Sequence, residues 1–500
     1  MTKLGKSAPS PGQEPKLSEI GLYADRVRVY PRSVHGPARS FKWAVLVFCL
    51  TVYYAVPWLR WNRGPGLPSQ AILLDIGNER FHFFNIEFWP QDIYYLTGAL
   101  ILGAVSLFLV TSLFGRVWCG YACPQTVWTD LFMWIERRIE GDRNERMKRD
   151  QGPTNFAKIW RKLAKHAAWL FIAFWTGGAW IMYYADAPSV TAQFWNGTAA
   201  NPVYIFTFLF TATTYVLAGW AREQVCTYMC PWPRFQAAML DEHSLIVTYQ
   251  AYRGEPRGHG KRTEDNKPND NKPNNNKMGA CVDCNACVNV CPTGIDIRDG
   301  IQLECINCGL CVDACNEIMV KTKQDKWLIT WDTLAHQKAR AEGKYDRYHM
   351  LRPRTLIYVT ALVLGFAIMG YAMATRSQID LAVQRDRAPL FVTVRDGSLR
   401  NGYTVKISNK TTVATDFALA IKGLDGAGMT VAEEAEARLP LLTLSVAPDQ
   451  VGTFRVLVFA RPTRLIDGTQ DIVFTLRNTI TGETTNYTSV FMGPGGRAAH

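Results

Sequence analysis

Eight cysteines between residues 281 and 315 carry the most specific chemistry in this sequence. Cys281, Cys284, Cys287 and Cys291, followed by Pro292, form the pattern C-x2-C-x2-C-x3-C-P. Cys305, Cys308, Cys311 and Cys315 repeat the spacing, with Asn316 where the proline would stand. This is the bacterial ferredoxin pattern for two [4Fe–4S] clusters. Each cubane needs four thiolates. A tight loop of three cysteines can wrap three corners, and in two-cluster ferredoxins the fourth ligand comes from the other run. The spacing therefore assigns Cys281, Cys284, Cys287 and Cys315 to one cluster, and Cys305, Cys308, Cys311 and Cys291 to the second. Zinc also uses C-x2-C pairs, but it does not require this doubled spacing. Cysteines so close together in tight loops pair poorly as disulfides.

Four of the other five cysteines form two C-x3-C-P motifs: Cys119 and Cys123 before Pro124, and Cys226 and Cys230 before Pro231. On a helix, residues at i and i+4 share one face, about 6 Å apart. The following proline can kink such a helix. Two such helices side by side would present four thiols, and soft thiolates select Cu(I), zinc or iron–sulfur clusters. The alternative is four small packed residues. Trp118, Tyr121, Tyr228, Met229 and Trp232 surround the motifs and are expected to dry the site or to form an interfacial belt. Cys49 stands alone and reads as a small packed hydrophobe. Thiolates reserved for metal imply a reducing compartment.

Apolar runs at 41–59, 92–114, 163–185, 203–221 and 354–375 approach or exceed the roughly 20 residues that cross a bilayer, so five spans are expected. His166 sits near the start of the third run and reads as interfacial. The tail 1–40 and the stretches 115–162 and 222–354 are rich in Lys and Arg, whereas 60–91 and 186–202 are poor. The positive-inside rule puts the rich set in the cytoplasm, together with both C-x3-C-P motifs and the ferredoxin stretch. The same rule explains the net charge of +12 without nucleic acid, for which no recognition motif is present. The N-terminus lacks the pattern of a signal peptide, and its polar tail reads as partly disordered.

Residues 41–252 thus form a four-helix membrane region. Residues 253–279, rich in Asn, Lys and Pro, read as a flexible linker. A ferredoxin-type domain at 280–320 follows, then a connector at 321–353 that includes an amphipathic helix, then the fifth span. An odd number of spans exports the remainder. There, alternating stretches at 390–394, 403–407, 417–421, 442–446, 454–459, 472–476 and 487–491, separated by turn signals such as Asn401-Gly402, suggest an immunoglobulin-like β-sandwich over 380–495. The fold class is a multidomain membrane protein: a helical transmembrane bundle, an inserted two-cluster ferredoxin domain and a C-terminal sandwich that reads as a docking module.

These features together resemble the cytochrome c oxidase accessory proteins of the CcoG/FixG/RdxA type, over nearly the whole chain from residue 20 to 493. The resemblance rests on RVWCGYACPQTVW at 116–128, REQVCTYMCPWPRFQ at 222–236, the paired cysteine runs at 281–315, and DRAPLF followed by RNGYTVKISN in the exported domain. It implies a role in maturing a high-affinity bacterial haem–copper oxidase of the cbb3 type. In that role Cu(II) is reduced to Cu(I) for delivery, with copper at Cys119, Cys123, Cys226 and Cys230. The implied place is the inner membrane. The implied partners are copper-delivery or oxidase-assembly proteins, and the copper site falls either within one chain or between copies in a homo-oligomer. The cysteine runs fit two other roles equally: an electron conduit between a quinol pool and a redox partner, or a non-catalytic assembly scaffold.

Overall fold

A chain that enters a bilayer must satisfy its backbone polar groups internally, which long apolar runs do as helices. The computed structural model describes residues 28–64, 67–259, 278–411, 413–432, 438–448, 450–461 and 468–494. The chain forms two compact units, Met1–Ala367 and Ile368–His500, each described by itself. Most of the tail 1–40 and of the linker 253–279 lies outside the described residues.

In chain order the first unit carries α1 (Pro37–Ala55), strands β1 (Ile72–Asp75), β2 (Arg80–Phe83) and β3 (Ile86–Phe88), and α2 (Ile93–Phe114). Next come α3 (Val117–Tyr121), α4 (Pro124–Glu140), α5 (Arg143–Gln151), α6 (Phe156–Ile181), α7 (Ala187–Trp195) and α8 (Asn201–Thr214). Two π-helical stretches follow, Tyr215–Ala221 and Val225–Met229. Then come α9 (Trp232–Met239), β4 (Ile246–Tyr249), α10 (Ala251–Gly254), α11 (Ala286–Val290), α12 (Leu310–Lys321), β5 (Ile329–Asp332), α13 (Leu334–Ala341) and α14 (Pro353–Ala374), whose last turns pass into the second unit.

Four helical stretches among the described residues are long and apolar enough to cross a membrane: Pro37–Trp58, Pro90–Phe114, Asn201–Ala221 and Pro353–Ala374. The expected third crossing lies within α6. That helix begins seven residues before the apolar run, and Lys158, Arg161, Lys162 and Lys165 charge its first turns. The first helix likewise starts at Pro37 rather than Phe41, because proline suits the first helical turn. Helices α6 and α8 approach closely at Gly177, where a Cβ would lie 2.5 Å from the Thr207 carbonyl oxygen, the small-residue contact favoured between membrane helices. His166 accepts or donates a hydrogen bond at Tyr215 Oη, 2.9 Å from its Nδ1.

The Lys- and Arg-poor stretch 60–91 folds back on itself. It is an antiparallel meander in which Ile72 faces Phe83 and Phe81 faces Phe88. Part of the basic stretch 137–149 is buried in ion pairs. Glu136 is fully buried against Arg146 and Arg222, each 2.8 Å away, with Lys165 at 3.6 Å. Asp130 receives both Arg39 Nη1 contacts, at 2.7 and 2.9 Å, with Lys42 at 3.7 Å. Burial pushes the Glu136 carboxyl up, but Arg222, Arg146 and Lys165 outweigh it and hold the group below its ordinary value.

The second unit is a sandwich of two sheets. Its strands are β6 (Ile379–Arg385), β7 (Val392–Thr393), β8 (Leu399–Asn409), β9 (Thr415–Lys422), β10 (Gly428–Val431), β11 (Leu441–Val446), β12 (Gln450–Ala460), β13 (Thr469–Asn478) and β14 (Thr484–Met492). One sheet runs β10-β12-β8-β6 with β7 beside β8, and the other runs β11-β9-β13-β14. Alternating residues such as Tyr403, Val405 and Ile407 face Phe417, Leu419, Phe474 and Leu476 in one core. The sheets are joined at Asn401, whose amide exchanges two hydrogen bonds with the Met492 backbone at 2.7 and 3.0 Å. Two strands were missed in the sequence, β6 and β10. The first follows the last span directly, and the second is only four residues long. The stretch at 390–394 contracts to the two-residue β7.

Replacing Glu136 by Ala leaves the buried Arg146 and Arg222 without their anion and Lys165 with Glu140 alone. The expected loss is about 3–5 kcal/mol of stability, measured as a lowered unfolding midpoint of the detergent-solubilised protein.

Candidate metal centre

Strand β4 pairs antiparallel with β5, Ile246 opposite Asp332 and Tyr249 opposite Ile329. The ladder extends the cluster lobe beyond the expected 280–320, because it brackets the cysteine runs from both sides. Inside it the two runs share one backbone path. Asp283 and Asn285 flank Cys284 with φ of 53° and 52°, and Asn307 and Gly309 flank Cys308 with φ of 58° and 71°. Asp, Asn and Gly are the residues that take up this left-handed conformation at least cost. The repeated turn delivers Cys287 into α11 and Cys311 into α12. Gly309 is required twice over: its φ is left-handed, and a Cβ there would lie 2.1 Å from the Trp331 ring.

The fourth cysteine of each run sits with the opposite loop. Cys315 is close enough to Cys287, Cys281 and Cys284 to feel their charge, and Cys311 feels Cys308, Cys305 and Cys291. Cys291, Cys305, Cys308, Cys311 and Cys287 line one apolar cavity with Ile297, Ile306 and Leu310. Burial pushes the Cys305 and Cys315 thiols up to about 12 and Cys287 up to about 11. These are neutral soft donors gathered in a dry space. They suit a metal group, whose positive charge displaces the thiol protons on binding.

The C-x3-C-P motifs depart from the expected i, i+4 helix face. Span α2 stops at Phe114, since Gly115 takes a φ of 65°, and Cys119 rides on the separate short helix α3. Cys123 is extended, and Pro124 opens α4 rather than kinking the helix before it. In the second motif Cys226 lies in a π-helical turn and Cys230 in the extended residue that ends it. The four thiols still converge. Cys119 feels the charge of Cys123 and Cys230, and Cys226 feels Cys123, Cys119 and Cys230. Burial pushes Cys119 up to about 11 and Cys226 up to about 12, with Arg116 opposing both. The Cys119 thiol donates to Gln236 Oε1 at 3.0 Å. The neighbours expected to dry the site or to form an interfacial belt divide. Tyr121 is buried, but Tyr228 is 79% exposed and Met229 62%. Cys230 is exposed too, so the thiols open to the surface on that side.

The two cysteine sites touch through α3. A Cβ on Gly120 would lie 2.6 Å from the Ile306 carbonyl oxygen and 3.1 Å from the Cys308 Cα. Tyr121 Oη donates to the Cys308 carbonyl at 2.9 Å. Arg116, almost wholly buried, donates to Gln236 and to the Leu303 carbonyl. Two further side chains pin the same loop to the membrane helices. Asn307 accepts from Val247 N at 2.5 Å and donates to the Phe114 carbonyl at the end of α2, 3.0 Å away. Asp313 accepts from Ala38 N and Arg39 N at the start of α1, at 3.3 and 2.8 Å. Sequence reasoning named Tyr121 only as a neighbour of the thiols and missed the contact that each of these residues makes with distant backbone. Only Asn307 left a signal, standing where Asp283 stands in the first run.

Fold and site together define a membrane-bound dicluster iron–sulfur protein. Residues 221–334 match the family model described as a 4Fe-4S dicluster domain, and residues 96–141 match one described as a 4Fe-4S binding domain. Residues 369–494 match the IG-like fold at the C-terminus of FixG. The chain is 44% identical to "Nitrogen fixation protein FixG" of Rhizobium meliloti, over 87% of each chain. It is also 44% identical to "Protein RdxB" of Cereibacter sphaeroides, over 96% of this chain and 99% of that one. A solved FixG-related protein from Vibrio parahaemolyticus aligns at 25% identity over 23% of this chain and 96% of its own, with a TM-score of 0.20. The chain belongs to the FixG/RdxA family.

Asn307→Ala strands the Phe114 carbonyl and the Val247 amide, at an expected cost of about 1–3 kcal/mol, read from thermal unfolding. Gly309→Val drives a side chain into Trp331. Its expected effect is loss of about half the bound iron, measured by metal analysis of anaerobically purified protein.

Proposed function

We propose that this protein reduces Cu(II) to Cu(I) during maturation of a cbb3-type cytochrome c oxidase. The observation that carries the reading is the seating of α3 on the second cysteine run, which places four converging thiols against the cluster lobe. Cys281, Cys284, Cys287 and Cys315 are the proposed ligands of one [4Fe–4S] cluster, and Cys305, Cys308, Cys311 and Cys291 of the second. Bound there, the clusters supply electrons singly, replenished by an external reductant.

Cys119, Cys123, Cys226 and Cys230 receive the copper. One electron converts one Cu(II) to Cu(I), and soft thiolates favour the monovalent product. Copper binding expels the protons of the buried thiols. Gln236 orients Cys119, and Arg116 offsets the anionic charge that develops there. The charge distribution favours a cytoplasmic position for all twelve cysteines and a periplasmic one for the sandwich, across a bacterial inner membrane. Copper-delivery and oxidase-assembly proteins are the partners this role requires.

One observation favours a second reading. The family model over 96–141 is described as 4Fe-4S binding and spans Cys119 and Cys123, so the four thiols are also a candidate seat for a third cluster. Iron analysis separates the two: about eight iron atoms per chain for two cubanes, about twelve for three.

The direct test mixes the anaerobic, reduced protein with limiting Cu(II), following cluster oxidation optically and Cu(I) with a chelator. Wild type is expected to yield Cu(I), and the Cys226→Ala/Cys230→Ala variant with its clusters intact is expected not to. Equal yields from both would assign the reduction to nonspecific chemistry of the clusters and leave the electron-conduit role.

A further inference from the structure

Away from the cysteines, three ligating side chains from two distant segments converge. His243 lies in the turn after α9, and Asp346 and His349 lie in the irregular connector between α13 and α14. One imidazole nitrogen of each histidine and one Asp346 carboxylate oxygen all fall within 4.8 Å of one another. The imidazole centroids are 5.1 Å apart, and His349 Nδ1 is 3.8 Å from Asp346 Oδ1.

Both segments are held from outside the triad. The His243 backbone amide donates to Asp241 Oδ1 at 2.9 Å, and Asp241 also pairs with Arg352. Ser244 Oγ and Arg352 Nη2 both donate to the Ser112 carbonyl, at 2.7 and 2.9 Å. These bonds moor the turn and the end of the connector beneath α2. Tyr348 moors the middle of the connector: its hydroxyl reaches Asp332 Oδ1 at 3.3 Å and its ring packs on His336. Asp346 and His349, either side of Tyr348, are left facing His243. His349 is 54% exposed, so the group is open to an ion from solvent.

We propose that His243, Asp346 and His349 form a binding site for a divalent first-row transition ion, with Cu(II) held most tightly. Two imidazoles and one carboxylate are a donor set such ions accept, and three protein ligands leave a position for water. An ion at about 2.0–2.1 Å from each donor needs neighbouring ligand atoms about 2.9 Å apart in the tetragonal geometry of Cu(II) and about 3.4 Å apart in a tetrahedral one, a rotamer closure from the observed spacing. Nitrogen and oxygen donors suit the divalent state, whereas the four thiols suit the monovalent one. The site stands whether or not copper is reduced at the thiols.

The test uses the full-length protein with oxidised clusters and Cys119→Ser, Cys123→Ser, Cys226→Ser and Cys230→Ser, so that no C-x3-C-P thiol competes. It is titrated with Cu(II) alone and followed by electron paramagnetic resonance. The expected result is about one Cu(II) per chain with hyperfine coupling from two imidazole nitrogens. Adding His243→Ala and His349→Ala should abolish that coupling and weaken binding by more than about 100-fold, and Asp346→Asn should weaken it by about 10-fold or more. Full iron–sulfur absorbance reports an intact fold, and if the histidine variant loses it, Asp346→Asn decides. The proposal is overturned by absence of a stoichiometric nitrogen-coordinated signal, by its persistence in the folded histidine variant or, where that variant does not fold, by unchanged Cu(II) affinity in Asp346→Asn. Because the thiols are absent throughout, neither result bears on copper reduction.

Discussion

The structure of the first unit depends on one loop being tied to the ends of two membrane helices. Residues 303–315 carry cysteines of the second run, and they also cap their neighbours. Asn307 closes the end of α2 and Asp313 closes the start of α1. Helix termini leave backbone groups without partners, and a carboxylate at an N-terminus answers both the missing acceptor and the local positive field. Here the caps come from residues some two hundred positions away or more in sequence. The same bonds that finish the helices therefore fix the cluster lobe against the membrane region. Arg116 and Tyr121 complete the attachment from the other side, through α3.

The buried charges serve the same geometry. Arg222 joins the end of the first π-helical stretch to Glu136 on α4, and its Nε donates back to the Gly219 carbonyl. Its own φ is 40°. A π-helical turn spends an extra residue per turn and is uncommon outside functional sites. The backbone around Cys226 is thus displaced from a regular helical path and held there by an ion pair. That displacement lets Cys226 and Cys230 meet Cys119 and Cys123 although neither motif keeps the simple helix face.

Much of this was legible in the sequence, and the reason differs by element. Cysteine spacing records ligand geometry, so two local patterns sufficed to propose that Cys291 and Cys315 cross between loops, and the structure sets Cys315 near Cys281, Cys284 and Cys287. Spans are legible because hydropathy and length are local quantities, yet α6 begins before its apolar run because Lys158, Arg161 and Lys162 stay helical while bonding to the Gly152 and Ile139 carbonyls and to Asp150. Strand alternation exposed most of the sandwich but not β6, which borders a span, or β10, which is four residues long. The interlocking residues were not legible. Nothing local marks Asp313 or Tyr121 as partners of distant backbone, and Arg116 reads equally as a membrane-edge cation. Proline misled for a related reason: it can end one helix or begin the next, and only the path of the chain decides.

The left-handed pairs at 283/285 and 307/309, together with the exchange of Cys291 and Cys315, give the lobe an approximate internal two-fold repeat. Under the proposed ligand exchange each half lends a cysteine to the other, so neither half is a complete container, and whatever fills one cavity also positions a donor for its neighbour.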